Sequence, residues 1–160
     1  MPSNALGVFT RDSDREICKK YAGPYFENML ISYEATQEYL KHPDPRARIG
    51  ALAMMRDYWR PKGDFACECE QIARDDADLT VRCIAVNCLI SCYYGTRDTR
   101  IGRWLAKVVR DETSPAIYRR QAYCVLFALK PEVKERPDFA TLRFPQEVNW
   151  DFVDSFVHEQ

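Results

Sequence analysis

The sequence predicts an all-α chain, a solenoid of about three stacked helical hairpins with a helical cap at each end. Three observations carry that prediction. Two short elements recur in register at a period in the mid-thirties, acids and prolines stand where helices begin, and apolar residues follow each turn at helical spacing. The 160 residues, 46% apolar and 29% charged, suit one globular domain over 1–160 with a substantial core.

The first repeated element is a small or apolar residue, Arg, two residues, then Ala. It occurs as Ala47-Arg48-Ile49-Gly50-Ala51, Val81-Arg82-Cys83-Ile84-Ala85 and Tyr118-Arg119-Arg120-Gln121-Ala122. The second lies just upstream, as Tyr39-Leu40-Lys41, Ile72-Ala73-Arg74 and Val108-Val109-Arg110. An acidic or proline-bearing turn follows each time: His42-Pro43-Asp44-Pro45, Asp75-Asp76-Ala77-Asp78 and Asp111-Glu112-Thr113-Ser114-Pro115.

Both elements read as helices. Asp44-Pro45 and Ser114-Pro115 place a capping oxygen before a proline at the first helical position, where its missing N–H costs nothing. Asp78 is placed to cap the middle copy, and Asp64 and Asp98 the helices before the turns. One stripe collects Ala47, Ala51, Met54, Met55 and Tyr58 in the first copy, and Val81, Ile84, Ala85, Cys88, Leu89 and Cys92 in the second. In the third it collects Tyr118, Ala122, Val125, Leu126 and Leu129. Gly63 and Gly95 mark the looser turns between units. The repeats therefore span about 24–60, 64–94 and 98–130, the first opening with a helix over 24–41 behind Pro24.

The ends read as caps. Ser13-x-x-Glu16 is a capping box for a short helix over 13–22, within a cap at 12–23. Across 131–160, prolines 131, 137 and 145 break the pattern. Val148, Trp150, Phe152, Val153, Phe156 and Val157 then gather in a final helix, and the segment 146–158 is expected to cover the last repeat.

The turn Asp followed four residues later by Arg, at Asp44/Arg48 and Asp78/Arg82, resembles the HEAT-like repeat family, in particular its PBS-lyase-like repeats. The likeness covers residues 24–130; the third copy has Pro115 where the Asp would stand before Arg119. The resemblance implies a right-handed α-solenoid in which Asp44, Arg48, Asp78, Arg82 and Arg119 form a structural ladder between turns. A planar guanidinium bridges carboxylates and turn carbonyls together, as Lys does less well.

Composition narrows the chemistry. A formal charge of −1 disfavours a nucleic-acid or anionic-membrane binder. No stretch approaches the roughly 18 apolar residues of a membrane helix, and the N-terminus lacks the form of a signal peptide. Seven cysteines without a Cys-x-x-Cys pair read as small buried thiols in a cytoplasmic protein, not a disulfide framework or metal site. There is no Gly-rich phosphate loop, nucleophile elbow or His-Glu-x-x-His helix. The adjacent acids Asp75-Asp76 and Asp111-Glu112 sit where helices turn and read as solvated. No catalytic residue and no cofactor is expected.

Function is then expected on the surface, as protein binding by a non-catalytic adaptor. Superposed repeats give the columns Arg56–Ile90–Phe127, Ala53–Asn87–Cys124 and Arg60–Tyr94–Pro131. Their candidate partner-binding residues are Arg56, Arg60, Asn87, Tyr94, Tyr123 and Phe127, types suited to interface hot spots. Arg97, Arg100, Arg103, Lys107 and Arg110 line one helix face as a possible anion-binding stripe. Asp64, Glu68, Gln71 and Asp75 line the preceding repeat's first helix, and mutual neutralisation of the two faces is the favoured reading. The family also admits a bilin-lyase-like or chaperone-like role, or nucleic-acid binding as in HEAT-like alkylpurine glycosylases. No motif here marks a pigment pocket.

Overall fold

A computed structural model describes residues 33–59 and 65–158. The cap helix at 12–23, residues 24–32 of the first expected helix, Arg60, Gly63, Asp64 and the side chain of Tyr58 lie outside that description. Among the described residues every regular element is helical: α1 (Tyr33–Tyr39), α2 (Pro45–Met54), α3 (Phe65–Asp75), α4 (Leu79–Tyr93), α5 (Thr99–Arg110), α6 (Ala116–Leu129) and α7 (Trp150–His158). A π-helical turn, Met55–Trp59, prolongs α2.

Local chemistry sets where the helices start. The Asp44 carboxylate accepts the Arg46 N–H at 2.8 Å with Pro45 in the first turn. Asp78 accepts from Thr80 and Val81, at 2.8 and 3.0 Å, and Asp98 from Ile101 at 2.9 Å. These bonds satisfy amides that the helix itself leaves unpaired. The third turn differs from expectation. Ser114 does not cap α6; its hydroxyl donates to Asp111 at 2.7 Å, beside the Thr113 amide and hydroxyl on the same carboxylate. Asp111 outcompetes the helix end for Ser114, and α6 begins with no side-chain cap.

Helices pair as hairpins: α1 with α2, α3 with α4, and α5 with α6. The second helices stand beside one another, α4 packing against both α2 and α6, while α7 lies against α5. Its central place explains why α4 buries Cys83 and Val86 as well as Val81, Ala85, Cys88 and Leu89. A helix that is apolar all round belongs inside. In contrast, α5 buries Ile101, Leu105, Ala106 and Val109 and turns its cations to solvent. The loop between the second and third hairpins docks on the end of α6. Gly95, at φ +70°, donates its N–H to the Ala128 carbonyl at 2.8 Å, and Arg97 donates to Leu129 at 3.3 Å.

The C-terminal segment covers α6, and its helix starts at Trp150. Phe152 stacks on Phe127 with ring centroids 4.3 Å apart, and Phe139 meets Phe127 edge-on at 5.5 Å. The Tyr123 hydroxyl accepts the Asn149 amide at 3.0 Å, and Arg120 donates to the Phe139 carbonyl.

Candidate functional site

The three repeated arginines occupy equivalent sequence positions and make different contacts. Arg48 holds the Asp76 carboxylate with two parallel bonds of 2.8 Å, from Nε and Nη2. Its Nη1 donates to the His42 and Pro43 carbonyls at 2.7 and 3.0 Å. One guanidinium thus ties the turn of the first hairpin to the turn of the second, and the bond to Asp76 raises its pKa. Arg119 is buried and donates from Nε to the Val109 carbonyl at 2.9 Å. Arg82 lies over the Tyr118 ring at 5.2 Å, and its buried Nε has no hydrogen-bond partner among the described residues. Neither Asp44 nor Asp78 pairs with the Arg four residues on; Asp44 holds Arg46 at 2.9 Å. A carboxylate rung therefore exists at Arg48 alone among these three. Asp111, which would supply the next, is engaged by Thr113 and Ser114.

Beside the Arg48–Asp76 tie lies a groove of about 360 Å³. Leu40 and Ile72 give it an apolar floor, and Glu68, Asp75, Asp76, Gln71 and Lys41 form its rim. Arg48 holds the Asp76 carboxylate, and Asp75 and Lys41 stand beside it on the rim.

That placement redirects the expected pairing of charged faces. Glu68, Gln71 and Asp75 face the groove toward the first hairpin, not the cations of α5. The side of α3 that meets α5 carries Glu70 and Arg74. Arg100 donates to both Glu70 oxygens at 2.6 and 2.9 Å, the Tyr93 hydroxyl donates to Glu70 at 2.5 Å, and Arg74 stands 3.6 Å away. Arg74 also lies over the Trp104 ring at 4.2 Å. Burial would raise the Glu70 pKa, but the bonds from Arg100 and Tyr93 and the charges of Arg100 and Arg74 hold it below the usual range. Tyr93, desolvated and bound to that carboxylate, is pushed up to about 12. The Glu70 bond raises Arg100 in turn. With its oxygens held by these groups, Glu70 fastens α3 to α4 and α5 and is poorly placed for acid–base work.

The rest of the stripe has other counter-charges. Arg97, at φ +54°, pairs with Glu132 at 2.9 Å. Arg110 pairs with Asp154 of α7 and lies over Trp150 at 5.0 Å. Arg103 and Lys107 are exposed and make no ion pair among the described residues.

The partner-binding candidates separate by exposure. Tyr94 is 62% exposed. Arg56 and Asn87 are half-buried, and Arg56 pairs with neighbouring Asp57 at 2.5 Å. Tyr123 and Phe127, expected on an open face, are 1% and 2% exposed. The C-terminal segment fills that face, so these two aromatics bind the cap. Arg60 lies outside the described residues.

Sequence reasoning missed Glu70, Tyr93, Arg74 and Trp104 as a unit. The signal was faint: Glu70 and Arg74 form an i,i+4 acid–base pair on α3. Among the described residues, no helix is long and apolar enough to cross a membrane. No group of three His, Cys, Asp or Glu there is arranged to hold a metal ion. No protein-family model, curated protein or solved structure matches the chain.

Proposed function

We propose that the chain is a non-catalytic adaptor, a cytoplasmic right-handed α-solenoid of about three HEAT-like repeats that binds a segment of another protein. The groove beside Ile72 carries this reading. Its volume, about 360 Å³, falls in the range of side-chain-binding pockets, ~300–1,000 Å³. An apolar floor beside the Asp75 carboxylate suits a segment in which Lys or Arg adjoins an apolar anchor. The Arg48–Asp76 tie fixes one turn against the other beside the groove, so a partner meets a pre-formed wall and less ordering entropy opposes binding.

A display library of short peptides, panned against the full chain, tests the proposal. Enriched peptides should carry a cation next to an apolar residue. Ile72→Glu with Asp75→Lys should abolish their binding while helicity and melting temperature stay near the parent values. Enrichment without a cationic preference, or equal binding by the double variant, overturns it.

A further inference from the structure

Arg48 and Arg82 stand at the same place in successive repeats, four residues after the aspartate that caps each second helix. The turn that Arg48 reaches and the turn ahead of Arg82 are built alike. Asp76 and Asp111 are the first residues beyond α3 and α5, and each accepts the amide two residues on, from Asp78 at 2.9 Å and Thr113 at 3.0 Å. The two carboxylates then part ways. Both oxygens of Asp76 also take Arg48, whereas those of Asp111 take the hydroxyls of Thr113 and Ser114. The Arg82 guanidinium is left with no ion pair and no hydrogen bond among the described residues, and its Nε is buried.

We infer that Arg82 is a receptor for a carboxylate from outside the chain, the side chain of an Asp or Glu on a bound protein. That carboxylate takes the place between the second and third turns that Asp76 holds between the first and second. Arg82 faces the right way for this role. It lies over the ring of Tyr118, three residues into the helix that follows the third turn. It is half-buried, between turns whose residues are mostly exposed, so a partner's side chain meets it at the surface.

The chemistry follows from what the guanidinium lacks. A buried donor without an acceptor is costly and is the exception in folded proteins. The Tyr118 ring, buried and pinned by its hydroxyl's bond to the Ala73 carbonyl at 2.6 Å, supports the flat face of Arg82. The edge that carries the N–H groups is left to an acceptor. A planar fork of donors matches a carboxylate through two parallel bonds, the pairing that Arg48 makes with Asp76. Water excluded by the ring makes such a bond stronger than on an open surface. The site lies on the third-hairpin side of the second turn, away from the groove beside Ile72, and the inference does not depend on that groove.

The test follows the arginine Nε–Hε resonances of the isotope-labelled full chain, with Arg82→Lys assigning that of Arg82. Sodium acetate and N-acetylglutamate methylamide, which carries only a side-chain carboxylate, are each titrated against sodium chloride at equal ionic strength. Both carboxylates should move the Arg82 resonance along a saturating curve that chloride does not reproduce, while Arg48, already held by Asp76, stays still. The backbone amides of Asp111 and Thr113 should follow the same curve and lose it in Arg82→Ala. The contrast between Arg82 and Arg48 in the parent chain decides the matter if that variant fails to fold. No saturation, or saturation by acetate without the blocked glutamate, would overturn the inference. Equal shifts at Arg48 or exposed Arg103 would mark an adventitious ion only and overturn it as well. So would an Arg82 resonance that Asp111→Asn moves before any carboxylate is added, because Asp111 would then already hold the site.

Discussion

Gly102 of α5 lies directly beneath the ring of Phe156 of α7. A Cβ built on Gly102 would stand 2.5 Å from Phe156 Cδ1 and 3.2 Å from Cε1. The missing side chain is therefore what lets α7 approach α5. In a free helix, Gly→Ala stabilises by roughly 0.5–1 kcal/mol. Here overpacking should reverse the sign, and Gly102→Ala should cost about 1–3 kcal/mol in urea unfolding. Phe156→Leu in the same chain should recover part of the loss. A stabilised single variant would mean that α7 does not seat as described.

The inequality of the repeated arginines gives the second prediction. Arg48→Ala leaves Asp76, whose side chain is only 8% exposed, without its counter-charge and with the Asp78 amide as its remaining donor among the described residues, and should cost about 3 kcal/mol. Arg48→Lys keeps the charge but loses the two-pronged bond and the carbonyl contacts, and should fall between. Arg82→Ala removes a stack on Tyr118 and no ion pair, so it should cost under about 1 kcal/mol. Thermal or urea unfolding of the three variants checks the order. Equal losses at Arg48 and Arg82 would restore the uniform ladder.

The third prediction concerns pH. Glu70 titrates lower folded than unfolded, so its contribution is complete above the ordinary carboxylate range. It is lost as pH falls through that range and on through the lower folded value. Glu70→Gln should flatten the acid side of the stability profile. Tyr93 behaves oppositely: it keeps its proton to about 12 when folded, against an ordinary 10.0. From about pH 10 to about 12 the unfolded chain loses this proton first, and stability falls as pH rises. Tyr93→Phe should remove that part of the alkaline slope, though Tyr118 and Tyr123, raised by burial, will retain some of it. An unaltered acid limb in Glu70→Gln would count against the clamp.

The hairpins were legible because caps and apolar spacing are local: Asp44, Asp78 and Asp98 each declare a helix start within four residues. What lay beyond was helix phase. The spacing of Glu68, Gln71 and Asp75 puts them on one face of α3 but does not say which neighbour that face meets; Glu68 and Glu70 lie on nearly opposite faces, so that choice decides which of them stands opposite Arg100. Tyr123 and Phe127 failed for a related reason. Treating the second helices as an open face left no room for the cap, although the apolar cluster after Val148 needed an apolar counterpart. Phe127 was the large aromatic on offer.

The cap supplies the fourth prediction. Phe127→Ala removes a buried ring that touches Phe139, Phe152 and Tyr123, and should cost about 3–5 kcal/mol. Phe152→Ala should cost less, because that ring is only partly buried. The double variant should lose less than the sum, since the two rings stack on each other. Deleting residues 146–158 should lower both melting temperature and solubility by uncovering α6. An unchanged melting curve would show that the segment docks elsewhere.

The last prediction separates structure from binding along α5. Arg100 is 60% exposed, but its partner Glu70 is only 10% exposed. Arg100→Glu therefore sets two carboxylates together at a half-buried site and should cost about 1–2 kcal/mol, softened by solvent at the arginine end. Exchanging the charges, Glu70→Arg with Arg100→Glu, should recover part of that loss, though Tyr93 loses its acceptor. Arg103→Glu touches no ion pair and should change stability by less than about 0.5 kcal/mol. Pairing Arg103→Glu with Asp64→Lys and Glu68→Lys should rescue nothing, because Glu68 faces the groove. Binding gives an independent readout. Arg97, Arg100 and Arg110 already hold carboxylates, which leaves Arg103 and Lys107 as the stripe's two cations without a counter-charge among the described residues. Two phosphate contacts give a shallow salt dependence, with a slope near 2 in log–log form. A heparin or duplex titration in which Arg103→Glu with Lys107→Glu abolishes tight, steeply salt-dependent binding would make the stripe a polyanion site and displace the adaptor reading.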